Sequence, residues 1–108
     1  DGSQVQQVLL NLIENALDAV GADGQIDIIT KRTKDELHIQ IADNGPGIKP
    51  EVMKKLWEPF FTTKEPGKGT GLGLSICSDI AHKLGGAITA ENRPQGGAVF
   101  TLKLPLRG

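Results

Sequence analysis

An α+β fold is what this sequence predicts: a two-layer sandwich with a mixed, mostly antiparallel sheet covered on one face by about three helices. Three observations carry that expectation. Residues 3–20 have a clean helical periodicity, two pairs of short runs alternate apolar and polar side chains, and a glycine-rich stretch feeds straight into a second helical pattern. At 108 residues the chain is one domain, able to bury about two-thirds of its unfolded surface around a single core.

The first helix begins well at Ser3, where Ser-x-x-Gln with Gln6 is a capping box. Val5, Val8, Leu9, Leu12, Ile13, Ala16, Leu17 and Val20 form its apolar face, and Gly21 stops it. Away from that face runs a polar stripe of Gln4, Gln7, Asn11, Asn15 and Asp18. A solvated face explains the glutamines. Asparagine is a poor helix former, costing roughly half a kcal/mol against alanine, and here two stand one turn apart in mid-helix. Amide oxygens on one stripe also suit a hard cation or a phosphate-facing edge. The stripe alone leaves both readings open.

Two strands follow, at 25–32 and 37–43, joined through Lys34-Asp35-Glu36. Ile26 and Ile28 share one face of the first; Leu37, Ile39 and Ile41 share one face of the second, opposite His38 and Gln40. Period-2 parity puts Asp43 on that same apolar face, where a carboxylate needs a partner. Alternatively the strand has ended and Asp43 opens the turn Asp43-Asn44-Gly45-Pro46-Gly47. Pro50 fits the first turn of a short helix over 50–56. Trp57-Glu58-Pro59-Phe60-Phe61 then holds three of the four aromatic residues, with Phe60 and Phe61 expected on the core. Residues 62–70, polar and carrying Lys64 and Lys68, read as a loop with the layout of a lid.

Glycine occurs 14 times, where average usage would give about 8. The excess is local, peaking at Gly67-Lys68-Gly69-Thr70-Gly71-Leu72-Gly73-Leu74. Glycine at every second position is a poor helix or strand interior, but it lets backbone N–H groups approach a ligand closely. Leu72, Ile76, Cys77, Ile80, Ala81 and Leu84 then give a helix. A bare loop entering a helix N-terminus suits phosphate, although a flexible linker before a helix would look similar. It is not a P-loop, because Lys68 is followed by Gly69, and residues 60–66 are too poor a strand for a dinucleotide fingerprint. Gly85-Gly86 closes the helix, and strands over 87–91 and 98–104 flank a hairpin connection at Arg93-Pro94-Gln95-Gly96-Gly97.

Composition narrows the partners. Hydrophobic residues make up 38% and charged residues 23%, as in an ordinary globular protein, and a net charge of −1 gives no electrostatic case for nucleic acid or a membrane surface. No apolar run approaches the roughly 20 residues that span a bilayer, and no signal peptide is evident. The single cysteine, Cys77, falls on the buried face of its helix and fits a reducing, cytoplasmic setting.

In order and spacing, Asn11-Leu12-Ile13-Glu14-Asn15-Ala16, Asp43-Asn44-Gly45-Pro46-Gly47, Trp57-Glu58-Pro59-Phe60-Phe61 and Gly69-Thr70-Gly71-Leu72-Gly73-Leu74 resemble the N, G1, F and G2 boxes of the histidine kinase catalytic and ATP-binding domain. That domain has the Bergerat, or GHKL, ATPase fold. The resemblance covers essentially the whole chain and looks most like sensor kinases of the nitrogen-regulation type. It implies a single catalytic domain over 1–108 that binds ATP and Mg²⁺, with the phosphoacceptor and sensor domains lying elsewhere. By that resemblance Asn15 holds Mg²⁺ beside Asn11, and Asp43 accepts from the adenine amino group. Gly45 and Gly47 let the backbone close on the base against Ile48, and Phe60 belongs to the nucleotide-binding set. Gly69, Thr70, Gly71, Leu72, Gly73 and Leu74 wrap the phosphates, and Lys64 and Lys68 are candidates for the β- and γ-phosphates.

The implied partners are a dimeric domain carrying the phosphoacceptor histidine and a response regulator receiver domain; the isolated domain is expected to be a monomer without membrane contact. Two departures matter. Asp18 stands where many relatives have a basic residue facing the phosphates, which raises the importance of Lys64. Asn11 stands where hydrolytic members have a water-activating Glu, and an amide cannot take that proton. Glu14 points about 100° around the helix from Asn15 and is no substitute. These changes favour a kinase that preserves ATP for transfer. His38 and His82 fit no phosphoacceptor motif. A non-catalytic nucleotide-sensing module and a serine kinase of the anti-sigma-factor type are the alternatives.

Overall fold

The computed structural model describes residues 2–21, 23–59 and 73–106. The first helix, α1 (Gly2–Val20), ends at Gly21, whose φ of +70° is the left-handed cap that glycine adopts without penalty. Strands β1 (Ile26–Arg32) and β2 (Glu36–Asp43) form an antiparallel pair. Thr33 holds the turn between them, its hydroxyl accepting from the Asp35 and Glu36 amides. The helix expected over 50–56 is a single turn, α2 (Pro50–Met53), followed by further turns. Next come α3 (Gly73–Lys83), β3 (Ala87–Asn92) and β4 (Ala98–Pro105). Helix α3 closes in a Schellman motif: Gly86 N–H donates to Ala81 O and Gly85 N–H to His82 O, with Gly85 at φ +82°.

The described strands make one antiparallel sheet in the order β1-β2-β4-β3, with α1 and α3 packed against it. This is the two-layer α+β sandwich the periodicities predict. Val8, Leu12 and Ala16 of α1 and Cys77, Ile80 and Ala81 of α3 meet Ile39, Ile41, Phe100 and Leu102 of the two central strands. Trp57 packs edge-on against Phe100, with ring centroids 6.1 Å apart. That contact fixes the described part of the aromatic cluster to the core. Phe60, Phe61 and the expected lid at 62–70 lie outside the described residues.

Three apolar side chains depart from their periodicity, among them Ile76 of α3 at 36% exposure. Leu17 is 57% exposed and Ile28 is 56% exposed. Ile28 does face the helical layer, since it pairs with the buried Ile41, but β1 is the sheet edge and α1 packs more closely over β2. Period assigns a face; only the placement of α1 decides where its cover stops. Among the described residues no helix is long and apolar enough to cross a membrane.

Cys77 is fully buried and free, its thiol donating to Val8 O at 3.8 Å. Burial pushes its pKa up, and the hydrogen bond with the Asn11 side chain only partly opposes that. A thiol raised on folding contributes stability that is fully present below the ordinary thiol pKa and is lost as pH rises through the folded value. Cys77 should therefore resist an alkylating reagent at pH 8 in native buffer and react readily in denaturant, as followed by mass spectrometry. Rapid labelling of the native chain would contradict that burial.

Candidate functional site

Asp43, the last residue of β2, is the centre of the site. It is only 3% exposed, so its carboxylate points into the fold as strand parity predicts. It also opens the turn, because its Oδ1 accepts from Gly45 N at 2.9 Å. The strand has not ended at Asp43, as the second reading supposed, yet the residue both points inward and opens the turn. The same oxygen accepts from Ala98 N at 3.3 Å, one register step beyond the Ala42–Val99 pair, so the side chain stands in where the β2–β4 ladder ends. Oδ2 makes no hydrogen bond among the described residues, which leaves an acceptor available on a buried, rigidly held carboxylate.

The hairpin between β3 and β4 holds this corner from outside. Arg93 Nη1 donates to Asp43 O at 2.9 Å. Asn92 grips the main chain of Ile48: its Oδ1 accepts from Ile48 N at 2.7 Å and its Nδ2 donates to Ile48 O at 2.8 Å. On the other flank, Asn44 Oδ1 accepts from Gln25 N at 2.8 Å and Asn44 N donates to Gln25 O at 3.2 Å. A Cβ at Gly45 would sit 2.9 Å from Ala19 O, and one at Gly47, where φ is +82°, would sit 2.9 Å from Asn92 Oδ1. Both glycines are thus required by the protein's own packing, whatever they do for a ligand.

The polar stripe of α1 joins this corner to the start of α3. Ala19, near the helix end, touches Gly45, while Asn11 Oδ1 lies 4.0 Å from the position of a Gly73 Cβ. Eight residues of helix between them span about 12 Å. Asn15 lies midway on the same stripe, half-buried, and its amide makes no hydrogen bond among the described residues. Asn11 is half-buried and turned toward α3, where it meets the Cys77 thiol. Asp18 and Glu14 are exposed.

The structure therefore sets Asn11 beside Gly73 at the start of α3 and gathers Gly45, Gly47 and Ile48 around Asp43 at the end of β2, with Asn15 between the two on α1. The side chains of Ile48 and Leu74 also pack on the core. Phe60, Lys64, Lys68, Gly69, Thr70, Gly71 and Leu72 lie outside the described residues. Among the described residues no three His, Cys, Asp or Glu side chains cluster as a metal centre. Among the described residues, a carboxylate oxygen without a partner at one end, an amide without one midway and a helix start at the other end fit a nucleotide whose own phosphates share in holding Mg²⁺. Sequence reasoning missed Asn92, Arg93 and Ala98. The Gly96-Gly97 pair was their one signal, and it was spent on the hairpin turn.

Comparison with known proteins agrees with this fold. Residues 1–108 match the family described as histidine kinase-, DNA gyrase B- and HSP90-like ATPase. The two-component sensor PprA of Pseudomonas aeruginosa is 42% identical over 110 residues, covering 95% of this chain and 12% of PprA. The nucleotide-free catalytic domain of the histidine kinase ThkA superposes with a TM-score of 0.87 at 42% identity, covering 97% of this chain and 69% of that one. The complex of ThkA with the response regulator protein TrrA gives a TM-score of 0.81 at 37% identity, over 97% of this chain and 29% of the ThkA chain. Full-length ShkA in complex with AMPPNP gives 0.82 at 30% identity, over 94% of this chain and 21% of ShkA. The chain spans less than a quarter of the length of curated relatives such as PprA and sporulation kinase C of Bacillus subtilis. Four motifs in register, a sheet and helices that superpose on a histidine kinase catalytic domain, and a match over all 108 residues together make this chain a member of the histidine kinase-, gyrase B- and HSP90-like ATPase family.

Proposed function

We propose that this chain is the ATP-binding catalytic domain of a cytoplasmic two-component sensor histidine kinase. Within its full-length protein it binds Mg²⁺-ATP and presents the γ-phosphate to a histidine on a separate dimeric domain. The phosphoryl group then passes to an aspartate of a response regulator receiver domain. The observation that carries the proposal is Asp43, buried at 3% exposure, with Oδ1 committed to the fold and Oδ2 left to accept from an exocyclic amine.

Asn15 would ligate Mg²⁺ through its side-chain oxygen, with Asn11 beside it. Mg²⁺ supplies neutralisation of the phosphate charge. Gly69, Thr70, Gly71, Leu72, Gly73 and Leu74 would offer backbone N–H groups at the start of α3, and Lys64 and Lys68 would meet the β- and γ-phosphates. Phosphoryl transfer needs alignment and charge stabilisation more than acid–base chemistry. A site with Asn11 in place of a base is suited to holding ATP without hydrolysing it.

Calorimetric titration of ATP with and without Mg²⁺, followed by labelled ATP with a dimeric phosphoacceptor domain supplied in trans, tests the proposal. Mg²⁺-strengthened binding and label on histidine are expected. Tight binding without transfer would leave a nucleotide-sensing module, and no binding would end the nucleotide reading.

A further inference from the structure

We infer that Asn92 is a positioning residue that sets how strictly the site selects its nucleobase. The inference rests on the reading of Asp43 as the adenine acceptor and adds to it a residue from the edge strand β3.

Asn92 ends β3, yet its carboxamide reaches a loop 44 residues away in sequence and bonds both main-chain polar groups of Ile48, at 2.7 and 2.8 Å. This is the pairing a neighbouring strand would give, supplied by one side chain. The fold does not demand it. Asn92 is exposed, so water could satisfy the same amide and the same loop groups, and β3 is paired to β4 through its backbone. What the clamp fixes is the loop. Pro46 has no N–H, Gly47 is free to turn, and from there to α2 the two bonds from Asn92 tie the segment to the sheet among the described residues. Gly47 is matched to the clamp, because any side chain there would strike Asn92 Oδ1.

Base selection follows from that placement. A carboxylate distinguishes adenine, which offers an amino donor, from guanine, which offers a carbonyl acceptor at the equivalent position. The distinction is strict only if the base cannot shift to escape an unpaired contact. Asp43 is locked by Gly45, Ala98 and Arg93; Ile48, expected against the base, is locked by Asn92. With the clamp removed, Asp43 keeps its place while the facing wall of the pocket loosens. Affinity for ATP falls, and discrimination against GTP falls with it.

The test compares the intact chain with Asn92→Ala and Asn92→Asp. Calorimetric affinities for Mg²⁺-ATP and Mg²⁺-GTP are measured alongside amide exchange at Ile48. Asn92→Ala should bind ATP about tenfold or more weakly, lower the ATP-to-GTP affinity ratio, and expose the Ile48 amide to faster exchange. Asn92→Asp keeps the acceptor for Ile48 N but sets an oxygen against Ile48 O, and should do no better than alanine. Asn92→Ser replaces the alanine variant should that fail to fold. An unchanged ATP-to-GTP ratio, with ATP affinity intact or both affinities lowered equally, overturns the inference. An intact chain that binds no ATP overturns the adenine reading itself, whereas an intact chain that binds ATP beside an indifferent Asn92→Ala removes only the role of Asn92.

Discussion

Gly97→Ala should destabilise the chain by about 3 kcal/mol or more, through left-handed strain and overpacking together. Gly97 has φ +90°, and a Cβ there would land on the Asp43 carbonyl oxygen and within 2.9 Å of the Asn44 Cα. None of those atoms belongs to a flexible side chain, so relief requires the hairpin to move off the strand end. Its neighbour is the control. Gly96 has φ +107° but nothing within 4 Å of its Cβ position, so Gly96→Ala should cost only the backbone strain, about 1–2 kcal/mol. Chemical denaturation of the two variants measures the difference, and a Gly97→Ala variant no less stable than Gly96→Ala would refute the close approach. Where Gly97→Ala still folds, nucleotide binding should suffer too, because the displaced atoms are those of Asp43.

Asp43→Asn should remove nucleotide binding while leaving the fold nearly intact. The amide can turn its oxygen to the Gly45 and Ala98 N–H groups, but it then presents an NH₂ group where an acceptor is needed. Losing a hydrogen bond to a charged group and creating a donor–donor clash should weaken ATP binding by about 100-fold or more. Asp43→Ala should lose binding equally and also give up about 1–3 kcal/mol of stability, since two main-chain donors lose their partner. Calorimetric binding read against denaturation separates the two effects. ATP affinity surviving in Asp43→Asn would exclude this carboxylate as the base acceptor.

Much of the architecture was legible because period and punctuation agree. The apolar face of α1 and the glycine after it, the alternation in β2 and β4, and the paired glycines after α3 each name an element and where it stops. Asp43 was legible for the same reason, since parity along β2 points it inward whatever lies around it. Leu17 and Ile28 were misjudged as core because periodicity gives a face without its neighbours; a leucine on the flank of α1 and an isoleucine on an edge strand have correct faces and little to cover them. The hairpin's grip on the 43–48 loop was not legible at all. Nothing within twenty residues of Asn92 says that its amide will meet Ile48.

The sequence by itself determined most of the elements, the two-layer α+β class, the polar stripe of α1 and the family, because each is written in short-range spacing of residue types. That the described strands pair only antiparallel came from the structure. The tertiary structure decided which protein groups hold the site. The strand order β1-β2-β4-β3 sets β4 beside β2, carrying Ala98 and the β3–β4 hairpin to the end of the strand where Asp43 sits. One carboxylate oxygen is thereby spent on the fold, and the other has no partner among the described residues. That division follows from contacts between residues about 50 positions apart in the chain, which only closure of the sheet brings within hydrogen-bond reach.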